Sequence, residues 1–392
     1  MHVVFFDDET LRTQLLPLTY TRPISELRIG ILTISEKWNQ QLKSESHSHL
    51  TADYLQAKFP YQESDNQYFI NSSFCPNTNL IEAVSNLELN ESLVKDDQII
   101  AFRGALEQFK TASKNNKNFP FDVRQISRPW QIFQHNGEQI EADFEVLTKN
   151  RTSAKLSETN QIIGAEHIFV EEGAKVECAI LNATSGPIYI GKNAEVMEGA
   201  IVRGPFALCE SSTLKLGAKI YGPTTIGPHS KVGGEVNNSV ILGYSNKGHD
   251  GFLGNSVLGE WCNIGADSNN SNLKNNYADV RLWDYATQRY PSTDLQFCGL
   301  IMGDHSKCGI NTMFNTGTVI GVSANIFGAG FPRNFVPSFS WGGASGYSEY
   351  KLNKVFEVAE KVMERRGLEL NTVEKEILET VFERSKVFRK AY

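Results

Sequence analysis

The chain has 392 residues, 40% of them hydrophobic, with 38 basic and 45 acidic side chains and a net charge of −7. That length allows two or three domains with buried cores, and the absence of any basic block argues against nucleic acid or an anionic membrane as main partner. No run approaches 18 consecutive apolar residues, and the first strand runs straight into Asp7 and Asp8, so neither a membrane span nor a secretory signal is expected.

Cys75, Cys178, Cys209, Cys262, Cys298 and Cys308 are scattered without a C-x-x-C pair. They read as reduced thiols of a cytoplasmic protein, and as small core residues rather than metal ligands. Glycine is uneven, with 27 of 31 lying between Gly164 and Gly346. The chain therefore divides into residues 1–155, a turn-rich middle from 156 to 347, and a tail from 348 to 392.

Val3-Val4-Phe5-Phe6 reads as a first buried strand of the N-terminal part. In the middle part, stepping by six from Ile190 gives Val196, Val202, Leu208, Leu214, Ile220, Ile226 and Val232 without a miss. Small residues such as Ala194, Ala200 and Ala218 sit four positions after several of these. The phase returns as Phe252, Leu258, Ile264, and again as Met302, Cys308, Phe314, Ile320, Ile326. Neither a helix nor an alternating strand has a period of six; a parallel β-helix of hexapeptide repeats does.

The period lapses twice, over about 238–251 and about 266–299. The first lapse contains Lys247-Gly248-His249-Asp250; the second is a long polar string followed by Trp283, Tyr285 and Tyr290. Lapses in a regular solenoid are where function is usually built, and the second reads as a loop thrown out from the coil wall. The tail patterns as two helices. Leu352, Val355, Phe356, Ala359, Val362 and Met363 share one face and Gly367 suits a C-cap; Asn371 then opens a second helix with Glu374 three residues on. A helical hairpin capping the solenoid is the expected role.

His249 leads the chemical candidates. It lies in a lapse of the repeat, between Gly248 and Gly251 and beside Lys247 and Asp250. An imidazole titrates near neutrality and can take a proton from an attacking amine or hydroxyl. His229 and His305 fall within regular hexads, and His47 and His49 in a serine-rich polar stretch.

The run Lys247-Gly248-His249-Asp250-Gly251-Phe252-Leu253-Gly254, then Asn263-Ile264-Gly265-Ala266 and Asn272, resembles the bifunctional N-acetylglucosamine-1-phosphate uridylyltransferase / glucosamine-1-phosphate acetyltransferase family over about 25 residues. The resemblance implies a left-handed β-helix and acetyl-CoA as co-substrate, with His249 as general base on the amine of an amino-sugar 1-phosphate. It implies Asn272 holding the amine or the base, and backbone N–H groups near Gly328 holding the oxyanion. Lys247, Lys219, Lys274 and Arg203 become candidates for the sugar phosphate. It also implies a homotrimer with sites between neighbouring solenoids. Phe252 stands where the family has tyrosine, Asn237 where it has a phosphate-binding lysine, and Leu273 where it has tyrosine.

The N-terminal part resembles, more loosely, an α/β sugar-phosphate nucleotidyltransferase, through Pro17-Leu18-Thr19-Tyr20-Thr21-Arg22-Pro23 and Gly30-Ile31-Leu32-Thr33 up to Trp38. In that fold a glycine-rich loop after the first strand cradles nucleotide phosphates. Here the place reads Asp7-Asp8-Glu9-Thr10-Leu11-Arg12, with carboxylates that would need Mg²⁺ to bridge them to a triphosphate. Ser73 takes the position of a metal-binding aspartate. Asp7, Asp8, Arg12, Arg22 and Lys37 are the nucleotide-site candidates, and nucleotidyl transfer is expected to be altered. Two alternatives to sugar-phosphate acyl transfer in nucleotide-sugar synthesis stay open. One is a sugar-1-phosphate nucleotidylyltransferase, such as a thymidylyltransferase, whose solenoid serves oligomerisation; the other is a non-catalytic scaffold.

Overall fold

The structure is a computed structural model, and it describes residues 1–111 and 115–389. The chain folds into two compact units. The first comprises Met1–Leu15, Thr21–Leu27 and Leu32–Arg128; the second comprises Leu16–Tyr20, Arg28–Ile31 and Pro129–Tyr392.

The first unit is α/β. Its six-stranded sheet runs, edge to edge, Ser46–Leu50, His2–Phe6, Gln67–Asn71, Gln98–Gly104, Glu91–Lys95 and Asn115–Asn118. His2–Phe6 pairs in parallel with both neighbours, so the crevice at the carboxyl ends of these strands is where such sheets take ligands. Helix Ile34–Leu42 starts on a capping box: Thr33 accepts from the Glu36 N–H while the Glu36 side chain accepts from the Thr33 N–H.

The second unit is a three-walled parallel β-helix, in which each coil contributes one short strand per wall. The first wall has nine strands, from Ile168–Val170 to Phe335–Val336. The second has ten, starting at Lys175–Val176; its last strand, Gly346–Glu349, is antiparallel. The third has six, from Gln161–Ile163 to Phe252–Gly254, and Asn269–Asn270 with Met313–Phe314 follow as a separate pair. The eight aliphatic residues from Ile190 to Val232 are all 2% exposed or less, and they fill the interior as the hexad predicts. Helices Trp130–Gln134 and Asn136–Thr148 belong to this unit, as do Gly30 and Ile31, whose N–H groups bond to Asn136 Oδ1 and Asp143 Oδ2, both at 2.8 Å.

Through the first lapse the coils continue but shorten, which corrects the interior phase read from the sequence. Leu214 pairs with Val232, 18 residues on, whereas Val232 pairs with Lys247, 15 residues on. The inward positions become Ile241, Lys247 and Leu253, so a lysine occupies an interior site. Leu253, not Phe252, packs the core, and Phe252 is half-buried on the outer side of the third wall. The second lapse does leave the coil, as an antiparallel excursion bridged at Leu273 with Phe297, Arg281 with Ser292 and Asp284 with Arg289. Its aromatic part is pinned down. Trp283 stacks on Phe335 at 4.3 Å, and Tyr285 meets Phe335 and Phe388 edge-on at 5.5 and 5.0 Å.

The two C-terminal helices run Leu352–Glu364 and Thr372–Arg384, the second capped by Asn371 accepting from the Glu374 N–H. The first lies along the outside of the second wall, where Val355, Val358 and Ala359 border Lys307, Ala324 and Asn325. Just beyond its end, Arg366 donates to Asn246 Oδ1 at 3.1 Å. Among the described residues no helix is long and apolar enough to cross a membrane, and no cluster of three His, Cys, Asp or Glu is arranged to hold a metal ion.

Candidate active site

His249 stands at the corner between the second and third walls. Register places Gly234 before it and Ala266, Ile310 and Gly328 after it in successive coils. A Cβ built on Gly234 would lie 2.7 Å from the His249 carbonyl oxygen, so the coil beneath accommodates the histidine only because that neighbour lacks a side chain. One position earlier in each coil stand Gly233, Gly248, Gly265 and Gly309, a side-chain-free trough beside the imidazole. His249 and Asp250 are exposed.

Lys247 is turned inward. It is 1% exposed, occupies a core position between Val232 and the following coil, and its ammonium donates to the His249 carbonyl oxygen. Burial pushes its pKa down to about 8. The expectation that Lys247 binds sugar phosphate is therefore corrected: its ammonium holds the backbone of His249 from inside the coil.

A cavity of about 690 Å³ extends from His249 across the outside of the second wall. Lys215, Lys231, Lys307, Arg365 and Arg366 line it, with Tyr244 and Trp261 at its far edge, and no carboxylate is among its lining residues. Tyr244 and Trp261 belong to a ring ladder at the first–second corner. His229 stacks on Tyr244 at 4.9 Å, Tyr244 on Trp261 at 4.4 Å, and Trp261 on His305 at 6.2 Å. Burial and the cationic neighbours Arg366, Lys215 and Arg365 lower the pKa of Lys231. Desolvation lowers that of Lys307 to about 8.

The other expected site residues are dispersed. Lys219 and Arg203 are exposed on the third wall, and Lys219 shares an outward column with Glu235 and Phe252. Asn272 donates to Asn255 Oδ1 at 2.8 Å, at the third–first corner. His249 lies across the third wall from it, and within one chain the two do not meet. Lys274 is committed to the carbonyl of Asp279 at 2.7 Å. Gly328 is exposed and shares the His249 corner column, but three strands further on, roughly 14 Å at about 4.8 Å per strand. The oxyanion role expected near Gly328 is thus out of reach of His249 in the same chain, and the adjoining coil offers Ala266 instead.

In the first unit, Asp7 is spent on structure. Its Oδ2 accepts from Arg12 at 2.7 Å and Thr51 at 2.5 Å, its Oδ1 accepts from the Ile24 N–H at 3.1 Å, and its side chain is 1% exposed. Asp8 caps helix Glu9–Gln14 by accepting from the Leu11 N–H at 2.9 Å. Arg12, Arg22 and Lys37 are buried. Ser73 is buried too, donating to Asn71 Oδ1 at 2.8 Å and accepting from Gln125 at 3.1 Å. A Mg²⁺ ion needs accessible carboxylate oxygens; Asp7 is held in its buried ion pair and Ser73 offers a neutral hydroxyl, while Asp8 and Glu9 are exposed and would be the carboxylates left to hold the ion.

Sequence reasoning passed over Lys215, Lys231, Lys307, Arg365, Arg366 and the rings. The hexad held part of the signal, since Lys231 and Lys307 each immediately precede an inward residue and so face outward on the same wall. Nothing in the sequence pattern placed Arg365 and Arg366 there.

Residues 3–152 match the family model described as sugar nucleotidyl transferase. Over 196 residues the chain is 29% identical to the bifunctional protein GlmU of Methanocaldococcus jannaschii, a match spanning 50% of this chain and 41% of that protein. The chain thus spans less than half the length of that curated relative. Among solved structures, LpxA from Bacteroides fragilis, a UDP-N-acetylglucosamine acyltransferase, is 14% identical, with 61% of this chain and 85% of that one covered at a TM-score of 0.26. A point mutant of AntD, an N-acyltransferase from Bacillus cereus, is 12% identical, with 53% and 91% covered at a TM-score of 0.22. The fold is nonetheless plain from this chain's own geometry: an α/β part of nucleotidyltransferase type, a hexapeptide-repeat β-helix and C-terminal helices.

Proposed function

We propose that the protein is a sugar-phosphate N-acyltransferase of nucleotide-sugar synthesis, using acetyl-CoA, with His249 as general base. The observation that supports it is the placement of His249. It is an exposed imidazole with its backbone clamped by Lys247, a side-chain-free trough beside it and a cavity lined by cations opening from it.

In this reading the amine nitrogen adds to the thioester carbonyl carbon while His249 takes the amine proton. The tetrahedral intermediate then expels the thiolate, which receives the proton, leaving an amide and free CoA thiol. The trough admits a thin acyl chain, and the Ala266 amide is the nearest backbone donor of the next coil. Lys219 and Arg203 on the exposed third wall suit the sugar phosphate.

The working unit in this reading is a homotrimer. Ile163, Ile201 and Tyr221 are exposed on the outer side of the third wall, and His249 and Asn272 flank that wall without meeting, so a neighbouring chain would complete the site.

A second reading, nucleotidyl transfer onto a sugar 1-phosphate by the first unit, is favoured by the family match over residues 3–152. The deciding assay is thiol release from acetyl-CoA with a panel of amino-sugar 1-phosphates. His249→Ala should lower the rate roughly 10²–10⁴-fold. Equal rates in variant and wild type would refute the first reading. Pyrophosphate release from a nucleoside triphosphate, with no thiol release on any acceptor, would establish the second.

A further inference from the structure

His249 stands on a charge boundary. On its second-wall side, the cavity that opens from it is lined by Lys215, Lys231, Lys307, Arg365 and Arg366 and by no carboxylate. On its third-wall side the charge reverses. Asp250 follows the imidazole directly, and the register of the coils sets Asp267 beside Asp250 on the next coil. The Asp267 N–H donates to the Asp250 carbonyl oxygen at 3.0 Å. The two aspartates therefore share one column, their backbones roughly 4.8 Å apart, next to the column of His249 and Ala266. Both are exposed, and neither carboxylate makes a hydrogen bond or ion pair among the described residues. Burial lowers the Lys247 pKa, and the charges of Asp250 and Asp267 oppose that shift. Both carboxylates thus lie within electrostatic reach of the ammonium that anchors the His249 backbone.

An amine and a hydroxyl ask opposite things of such a corner. A primary amine arrives largely as ammonium at neutral pH. Once it has given up one proton, its nitrogen adds to the thioester carbonyl carbon and becomes cationic again, until the second proton passes to the imidazole, which is then the cation. Carboxylates beside the imidazole favour every one of these states. A hydroxyl oxygen instead gathers negative charge as its proton leaves, and carboxylates at the same place oppose it. The balance for the amine is ammonium plus thioester giving amide, thiol and one proton, which the exposed His249 passes to solvent.

We propose that Asp250 and Asp267 determine the acceptor: they hold its amino group beside His249 as an ammonium and restrict acyl transfer to nitrogen over oxygen. The transfer part of this rests on the acyl-transfer reading; the binding of an ammonium does not. The course of the chain agrees with it. From His249 the backbone runs through Asp250 and Gly251 into strand Phe252–Gly254 of the third wall, the wall on which Lys219 and Arg203 are exposed. An amino-sugar phosphate on that side meets carboxylates with its amine and cations with its phosphate.

The test uses a panel of amino-sugar 1-phosphates, each paired with the same sugar 1-phosphate carrying a hydroxyl in place of the amine. Each pair is run on the full chain, on Asp250→Asn, on Asp267→Asn and on the double variant, with circular dichroism melts to check folding. Thiol release from acetyl-CoA gives kcat/KM for each acceptor, and titration calorimetry gives its affinity without turnover. Wild type should prefer the amine. Each substitution should lower kcat/KM for the amine roughly tenfold or more, mostly through KM, while the KM for acetyl-CoA and the rate on the hydroxyl acceptor do not suffer. A wild type without preference for the amine overturns the proposal. A preference left intact in the double variant does so too, and with a lowered melting temperature it makes the two carboxylates counter-ions of Lys247 only. His249-dependent thiol release with that preference intact sinks this pair alone. Amine-selective binding that the double variant loses, with no thiol release on any acceptor, keeps the ammonium site and sinks acyl transfer alone.

Discussion

Lys247→Met separates stability from activity in one substitution. In the native chain an ammonium sits 1% exposed at an interior hexad position, with Val232 beneath it. The fall of its pKa from 10.5 to about 8 means that keeping it charged at pH 7 costs roughly 3 kcal/mol. Methionine has nearly the same length and no charge, so that cost disappears. Against it stands the lost hydrogen bond to the His249 carbonyl, worth about 1–2 kcal/mol. The variant should therefore be more stable at pH 7 by about 1–2 kcal/mol, read from the urea midpoint.

The sign of the pH dependence follows from linkage. Between pH 8 and 10.5 the unfolded chain binds the Lys247 proton and the folded chain does not, so wild-type stability rises with pH across that window. The advantage of the methionine variant should shrink by about 1.4 kcal/mol per pH unit above pH 8, vanish at about pH 9 and reverse beyond it. Activity should move the other way, with kcat falling about tenfold or more at little change in KM, because the His249 backbone loses its anchor. A variant less stable than wild type at pH 7 would refute the burial argument. One that is more stable and fully active would refute the positioning argument.

Three further outcomes are expected. A Cβ on Gly248 meets nothing within 4 Å, so Gly248→Leu should fold with an unchanged melting temperature yet fill the trough and raise the KM for acetyl-CoA; a lower melting temperature would count against the open trough. Asp7→Asn breaks a buried pair with Arg12 and should destabilise the first unit by about 3–5 kcal/mol in a denaturant titration, whereas a Tm equal to wild type would mean that Asp7 is free for another task. If neighbouring chains complete the site, inactive His249→Ala and Asn272→Ala chains, unfolded and refolded together, should regain about a quarter of the sites, and no recovery would place both residues in one chain's site.

The solenoid was legible because its rule is local and repeats: one inward aliphatic per hexad, with no dependence on distant chain. The same rule hid Lys247. A search for aliphatic residues registers a lysine as an interruption, although the step of six from Ile241 through Lys247 to Leu253 was intact. The step from Leu253 to Leu258 is five residues, not six, so counting by six back from Leu258 puts Phe252 where Leu253 belongs. Corner residues were harder still. His229, Tyr244, Trp261 and His305 all adopt positive φ, which sequence propensity assigns to Gly or Asn, so the ring ladder had no local signature.

Site residues divide by what positions them. His249 was legible because a glycine-flanked histidine at a lapse in the period is a local pattern. Arg365 and Arg366 were not, because only the packing of Leu352–Glu364 against the second wall brings them within reach of Asn246, some 120 residues earlier. Asp7 shows the opposite failure. Carboxylates following a first parallel strand suggest a phosphate or metal site by position, but position says nothing about partners. Arg12, five residues on in the next helix, folds back to neutralise Asp7, and Thr51 and the Ile24 amide take its remaining lone pairs. Turning Asp7 toward a metal would break this buried ion pair, at a cost of about 3–5 kcal/mol. The chemistry of this chain is therefore to be sought first at the corner of the solenoid, where an imidazole is exposed and no carboxylate among the described residues lines the cavity beside it.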